Sequence, residues 1–140
     1  MYSYVTHTLA PVYDSSSRVL ILGTMPSPKS REAGFYYAHP QNRFWPVLAA
    51  LFAEPIPAAA DKKAFALRHH IALWDVLHAC RIEGAGDSTI RDPVPNDIAG
   101  LLEKSAVRAV FTTGKKAAGL YRRLCLPSTG LPAFYLPSPS

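Results

Sequence analysis

Four short apolar runs divide the chain: Val19–Leu22, Ile71–Leu77, Val107–Thr112 and Ala133–Leu136. Continuous runs of this length, rich in β-branched residues, fit strands buried on both faces. Between them the apolar positions change to helical spacing. Phe44, Val47, Leu48, Leu51 and Phe52 predict a helix over Arg43–Phe52. Pro46 belongs in its first turn, so the helix begins between Asn42 and Trp45. Asp61 reads as the N-cap of a second helix, Lys62–His69, and Asn96 as that of a third, Asp97–Lys104. Gly114 opens a fourth, Lys115–Leu124. Met1–Ser17 reads as a polar and aromatic lead-in, and Glu83–Pro95 as a loop. Pro26, Pro28 and Pro40 hold the segment after Gly23 out of regular helix.

Strands alternating with helices predict a parallel sheet joined by right-handed crossovers. The expected fold is α/β, a three-layer α/β/α domain with a central four-stranded parallel sheet, spanning residues 1–140 as one unit. Ligands of such sheets bind beside the carboxyl ends of the strands. The stretch Arg18–Leu51 runs strand, turn, polar and aromatic loop, helix. Its loop therefore stands where a ligand sits.

Charge adds a partner class. The net charge is +5, and residues 104–140 carry six basic side chains and no acidic one. Such a basic third fits a polyanion, most simply nucleic acid, or else an ordinary solvated face. No run of 18 apolar residues exists, and the N-terminus has no signal-peptide pattern. A cytoplasmic protein without membrane contact is expected. Cys80 and Cys125 form no CxxC pair and read as reduced thiols.

Several chemistries find no seat. Gly114-Lys115-Lys116 resembles the end of a P-loop, but Ala109 stands where its first glycine belongs, and Lys116 where Ser or Thr does. The helix start after Thr112-Thr113-Gly114 either binds one phosphate, with Lys115 beside it, or is a plain turn with a solvated lysine. His69, His70, His78 and Cys80 do not match a zinc spacing, so no metal is expected. No Gly-x-Ser-x-Gly elbow occurs. Glu32 is the lone carboxylate of Arg18–Leu51, so a two-carboxylate glycosidase is excluded there.

The run Tyr37-Ala38-His39-Pro40-Gln41-Asn42-Arg43-Phe44-Trp45 resembles a loop of mismatch-specific uracil-DNA glycosylases. Gly23-Thr24-Met25-Pro26-Ser27 occupies the place of that family's first catalytic turn, and Leu136–Ser140 resembles the start of its Pro-Ser motif. With Leu73-Trp74-Asp75-Val76-Leu77 and Asp87-Ser88, the likeness is greatest to the hypoxanthine-DNA glycosylase branch of the uracil-DNA glycosylase superfamily. It implies a DNA glycosylase that excises a deaminated base, hypoxanthine foremost, from DNA. It implies no cofactor, and two cysteines cannot supply the ligands of an iron–sulfur cluster. A monomer is expected. A uracil or thymine mismatch glycosylase and a non-catalytic DNA- or nucleotide-binding module are the alternatives.

The resemblance also assigns roles. The superfamily's usual catalytic Asn or Asp of the first turn falls on Met25, whose thioether cannot polarise water. The branch sharing that substitution uses the Asn of His-Pro-x-Asn, which is Asn42. An amide oxygen can orient water toward an anomeric carbon, although Asn42 also reads as a helix cap. Gly23, Thr24, Met25 and Pro26 are expected to touch the base through the backbone, and Tyr37 to stack on it. Ser27, His39, Lys115, Pro137 and Ser138 are candidate DNA contacts, with a local structural bond as the other role for His39. Phe44 and Trp45 read as core. Asp87 and Ser88 either line the pocket or cap their loop. Relatives of this branch continue past the Pro-Ser motif into a wedge loop and a closing helix. The domain thus reads as short at its C-terminus, with apolar sheet surface left open.

Overall fold

In the computed structural model, which describes residues 1–84 and 86–140, all four apolar runs contribute strands to one sheet. β2 (Val19–Gly23), β3 (Ile71–Asp75), β6 (Ala109–Thr113) and β7 (Ala133–Leu136) are all parallel, in the order β3-β2-β6-β7. Side chains alternate along β2. Leu20 and Leu22 enter one core, with Ala72, Val110, Ile98, Leu101, Leu120 and Tyr121. Ile21 enters the other, with Phe44, Trp45, Leu48, Phe65, Ile71 and Leu73. Period-two alternation with both faces buried is what a continuous apolar run encodes. Helices α2 (Phe44–Leu51) and α3 (Lys62–Arg68) supply the second core, and α4 (Ile98–Glu103) and α5 (Lys115–Leu120) the first. The three-layer α/β/α prediction holds.

A second sheet was not expected. β1 (Ser3–Thr6), β4 (Leu77–Ile82) and β5 (Arg91–Pro95) form an antiparallel sheet in the order β1-β4-β5. The expected strand Ile71–Leu77 is therefore two strands of two different sheets. The chain turns between them at Val76, whose N–H donates to Gly23 O (2.8 Å), while Leu77 N–H donates to Thr24 O (3.1 Å). Tertiary acceptors, not local turn residues, stabilise this corner.

Asn96 belongs to the same corner and is not the cap of α4. Its buried Nδ2 donates to Asp75 O (2.9 Å) and Leu77 O (3.1 Å). Asp97 caps α4 instead, accepting from Gly100 N–H (3.0 Å). Asn96→Ala is expected to cost about 2–4 kcal/mol, since it strands two buried carbonyls. Urea denaturation checks this, and a loss under about 1 kcal/mol would contradict it.

Two helix expectations also shift. Pro28 starts α1 (Pro28–Ala33) rather than preventing it, because a proline in the first turn gives up no hydrogen bond. The helix expected over Lys115–Leu124 widens into a π-turn at Tyr121–Cys125 before α6 (Leu126–Thr129). Pro127 lacks an N–H and its ring crowds the carbonyl four residues back, which a wider turn relieves. Asp61 precedes α3 as expected but makes no side-chain cap bond. Beside α2, Val47, Leu51 and Leu136 stand exposed around an apolar groove of about 670 Å³. Cys80 and Cys125 are buried free thiols. No helix among the described residues is long and apolar enough to cross a membrane.

Candidate active site

A cavity of about 290 Å³ opens at the carboxyl ends of β2, β3 and β6. The chain leaves β2 toward the α2–α3 layer and β6 toward the α5 layer. Divergence of neighbouring strands to opposite faces leaves such a crevice open at their ends. Its wall includes Gly23, Thr24, Met25, Pro26, Ser27, Tyr37, His39, Asn42 and Ser138. The turn, the aromatic loop and the Pro-Ser segment thus meet around one space. Pro137 lies outside this wall, in the apolar groove. Lys115 also lies outside it, in a separate basic groove with Lys116, Arg122 and Arg123. Asp87 lines the cavity and Ser88 does not.

Sequence explains the loop's shape. Tyr36 and Tyr37 diverge. Tyr36 is buried and its hydroxyl donates to Ala10 O (2.8 Å). Tyr37 adopts a left-handed backbone, φ 55°, which a non-glycine residue keeps only when its surroundings hold it there. Its ring stacks on Phe44, 3.9 Å between centroids and 13° from parallel. Its hydroxyl lies 3.4 Å from Thr113 Oγ1. Phe44 is absent from the cavity wall, so it backs the tyrosine from behind. Trp45 Nε1 donates to Tyr36 O (3.0 Å), fixing the loop to α2. Phe44 and Trp45 are core, as expected.

The N-cap of α2 is Arg43, not Asn42; from the residue before it, Asn42 Oδ1 accepts the Phe44 N–H at 2.8 Å and so satisfies a free donor of the first turn. An amide oxygen has two lone pairs, so this bond leaves one acceptor site. The C-terminal segment reaches the same corner, Arg43 N–H donating to Pro139 O (2.9 Å). His39 is exposed, and its Nδ1 accepts the Gln41 N–H (3.1 Å), the local role weighed for it. Ser27 caps α1 through the Ser30 N–H (3.1 Å). Among the described residues, the amides of Thr24 and Met25 donate to no protein acceptor. Unpaired donors in a cavity wall are poised for a ligand's oxygen. No group of three or more His, Cys, Asp or Glu able to hold a metal occurs among the described residues.

The family model of the uracil DNA glycosylase superfamily matches residues 10–140. The chain belongs to the uracil DNA glycosylase superfamily. A protein named hypoxanthine DNA glycosylase from Methanosarcina acetivorans is 39% identical over 132 residues, 92% of this chain and 82% of that protein. A protein of the same name from Methanosarcina barkeri is 31% identical over 132 residues, 86% of this chain and 84% of its own. The solution NMR structure of a Methanosarcina acetivorans protein, described as a candidate uracil DNA glycosylase, superposes with TM-score 0.80 at 36% identity. That match covers 100% of this chain and 86% of the other.

Three wall residues of this superfamily domain were given no role by the sequence motifs. Arg31 donates from Nη1 to Pro26 O (2.8 Å) and bolts α1 to the turn. Thr113 ends β6 and donates from Oγ1 to Leu22 O (3.3 Å). Asp75 ends β3, is 4% exposed, and lies 2.8 Å from His7 Nε2 through Oδ2. Burial pushes the Asp75 carboxyl above its ordinary range, and His7 pulls it part of the way back. Burial, then the Asp75 charge, also pushes the Tyr36 and Tyr37 phenols up. Asp75 stood in the Leu73–Leu77 run that carries the resemblance, but its apolar neighbours read as strand and gave it no role of its own.

Gly23 makes room for that carboxylate. A Cβ there would stand 2.6 Å from Asp75 Oδ1 and 3.5 Å from the Tyr37 hydroxyl. Gly23→Ala is expected to cost about 1–3 kcal/mol through this overlap. Asp75→Ala in the same chain should relieve most of it. Denaturation of both single variants and the double variant measures the coupling, and additive losses would contradict the contact.

Proposed function

We propose that this chain is a monofunctional DNA glycosylase that releases a deaminated base, hypoxanthine first, from DNA. The observation that carries the reading is one cavity joining two unpaired amides, the Tyr37 ring and the Asn42 amide oxygen. The named activity of the two Methanosarcina relatives supports it.

An enzyme acting on a base in a duplex must first extrude it, and unstacking is least costly at a damaged or mispaired position. Inside the cavity, Tyr37 offers an aromatic face to the base. The Thr24 and Met25 amides donate to the exocyclic carbonyl that deamination creates. Adenine presents an amino donor at that position, which leaves both amides unpaired and disfavours it. The bond between C1′ and the base nitrogen then breaks, and its electron pair leaves with the base. Negative charge grows on the base carbonyl, facing the two amides, where fixed donors stabilise it most. Asn42 Oδ1, steadied by the Phe44 N–H, accepts from a water aimed at C1′. The water's oxygen bonds C1′, and its proton ends on the departing base. A neutral amide is a weak base, so positioning supplies most of the rate. Ser27, His39 and Ser138 line the cavity, and in this reading they contact the sugar–phosphate chain. The groove of Lys115, Lys116, Arg122 and Arg123 gives flanking phosphates a second contact.

The test uses duplex oligonucleotides carrying hypoxanthine, uracil or mismatched thymine, followed by alkaline cleavage of abasic sites. Hypoxanthine release ahead of the other two is expected. Binding of all three without release of any would overturn the proposal.

A further inference from the structure

His7 lies ahead of the segment matched to the superfamily, yet it bonds the cavity-wall residue Asp75 from behind. The pairing of β1 with β4 brings it there, its own N–H donating to His78 O (2.6 Å). The side chain is 2% exposed and spends its Nε2 on Asp75 Oδ2. The other carboxyl oxygen, Oδ1, has no hydrogen-bond partner among the described residues, and Asp75 lines the cavity. A carboxylate 4% exposed, with one oxygen engaged and the other free at a cavity wall, is a ligand-directed acceptor. Gly23 gives that oxygen its approach, since any Cβ would close on it.

We infer that His7 is a positioning residue for base recognition: by occupying Asp75 Oδ2 it keeps Oδ1 an acceptor for the ring N–H of a deaminated base. The inference rests on the glycosylase reading and deepens it. The chemistry is that of the lactam. Hypoxanthine N1–H and uracil N3–H each stand next to the carbonyl made by deamination. Adenine N1 and cytosine N3 are bare lone pairs at the same place. Oδ1 therefore attracts the deaminated edge and repels the aminated one. His7 matters because a carboxyl can carry a proton on either oxygen. An ionised Asp75 accepts through Oδ1. A protonated Asp75 that donates from Oδ2 to His7 still accepts through Oδ1. Without His7, a proton on Oδ1 would turn acceptor into donor and invite adenine. Guanine shares the N–H and carbonyl edge of hypoxanthine, so its exclusion falls to other contacts.

The experiment compares release of hypoxanthine with that of 1-deazahypoxanthine, in which C–H replaces N1–H and the carbonyl tautomer carries its proton on N3. The rate ratio is measured in the unmodified chain and in Asp75→Asn, Asp75→Ala, His7→Phe and His7→Gln. Dividing one ratio by another cancels the difference in leaving ability. The ratio is expected to fall about 10- to 100-fold in Asp75→Ala, the range of a hydrogen bond to a charged group, and far less in Asp75→Asn, whose amide can donate to His7 and still accept through Oδ1. It should fall in His7→Phe as well and return in His7→Gln, which keeps a donor. Melting curves separate folding from recognition, since a structural role alone changes stability and leaves the ratio in place. Release of hypoxanthine with a ratio unmoved by every folded Asp75 or His7 variant overturns this inference alone. Failure of the unmodified chain to release hypoxanthine overturns it together with the proposed function.

Discussion

Asn42→Ala is expected to lower the rate of hypoxanthine release by about 10²- to 10³-fold, the usual effect of deleting a preorganised polar group at the reacting centre. The difficulty is that Asn42 also supports the start of α2 as a cap would, its Oδ1 holding the Phe44 N–H at 2.8 Å from the residue before the N-cap. Losing a cap costs about 0.5–2 kcal/mol of stability, which leaves most molecules folded. A two- to three-decade loss in a folded protein therefore cannot come from the cap. Asn42→Ser sharpens the comparison, because serine caps a helix as well as asparagine but ends one atom shorter. Its stability should stay near that of the unmodified chain while its release rate falls nearly as far as in the alanine variant. Single-turnover kinetics on a hypoxanthine duplex, read beside melting curves, measures both. An alanine variant keeping more than a tenth of the rate would remove Asn42 from the chemistry and leave it as a support of α2.

The elements legible in the sequence are those whose local pattern suffices. β2 and β6 read as strands from their continuous apolar runs, while β7 carries a similar run but lies exposed at the sheet edge. Asn42 and Tyr37 stood out because the run Tyr37–Trp45 resembles a glycosylase loop, which in the structure is held by the helix behind it. β1 and β5 did not stand out. Only one of the four residues of β1 is even partly buried, and β5 contains Pro93 and Pro95. An edge strand needs little apolar pattern and tolerates proline. The corner at Val76 was hidden for another reason. Its hydrogen bonds come from Gly23, Thr24 and Asn96, about 20 to 50 residues away in the chain. The same holds for His7 and Asp75, 68 residues apart. Their meeting is a product of pairing between strands that the apolar pattern does not announce.

Tyr37→Ala should lower kcat/KM for a hypoxanthine duplex by about 10- to 100-fold, as loss of stacking on one base is worth about 1–3 kcal/mol. Three features make Tyr37 the platform. Its ring is backed by Phe44 at 3.9 Å, so it is held flat before a base arrives. It borders the cavity while Phe44 does not. Its backbone is held at φ 55°, a conformation with a cost of about 1–3 kcal/mol that its surroundings must offset. The hydroxyl plays little part, being 3.4 Å from Thr113 Oγ1. Tyr37→Phe should thus keep activity within about threefold, since a weak neutral bond contributes under about 1 kcal/mol. The backbone offers the deciding variant. Alanine keeps the strain of the left-handed conformation, whereas glycine relieves it. Tyr37→Gly should therefore melt higher than Tyr37→Ala, yet bind and process the base no better. Activity that rises with stability from alanine to glycine would mean that Tyr37 matters through folding. Equal loss in the two would place its function in the ring.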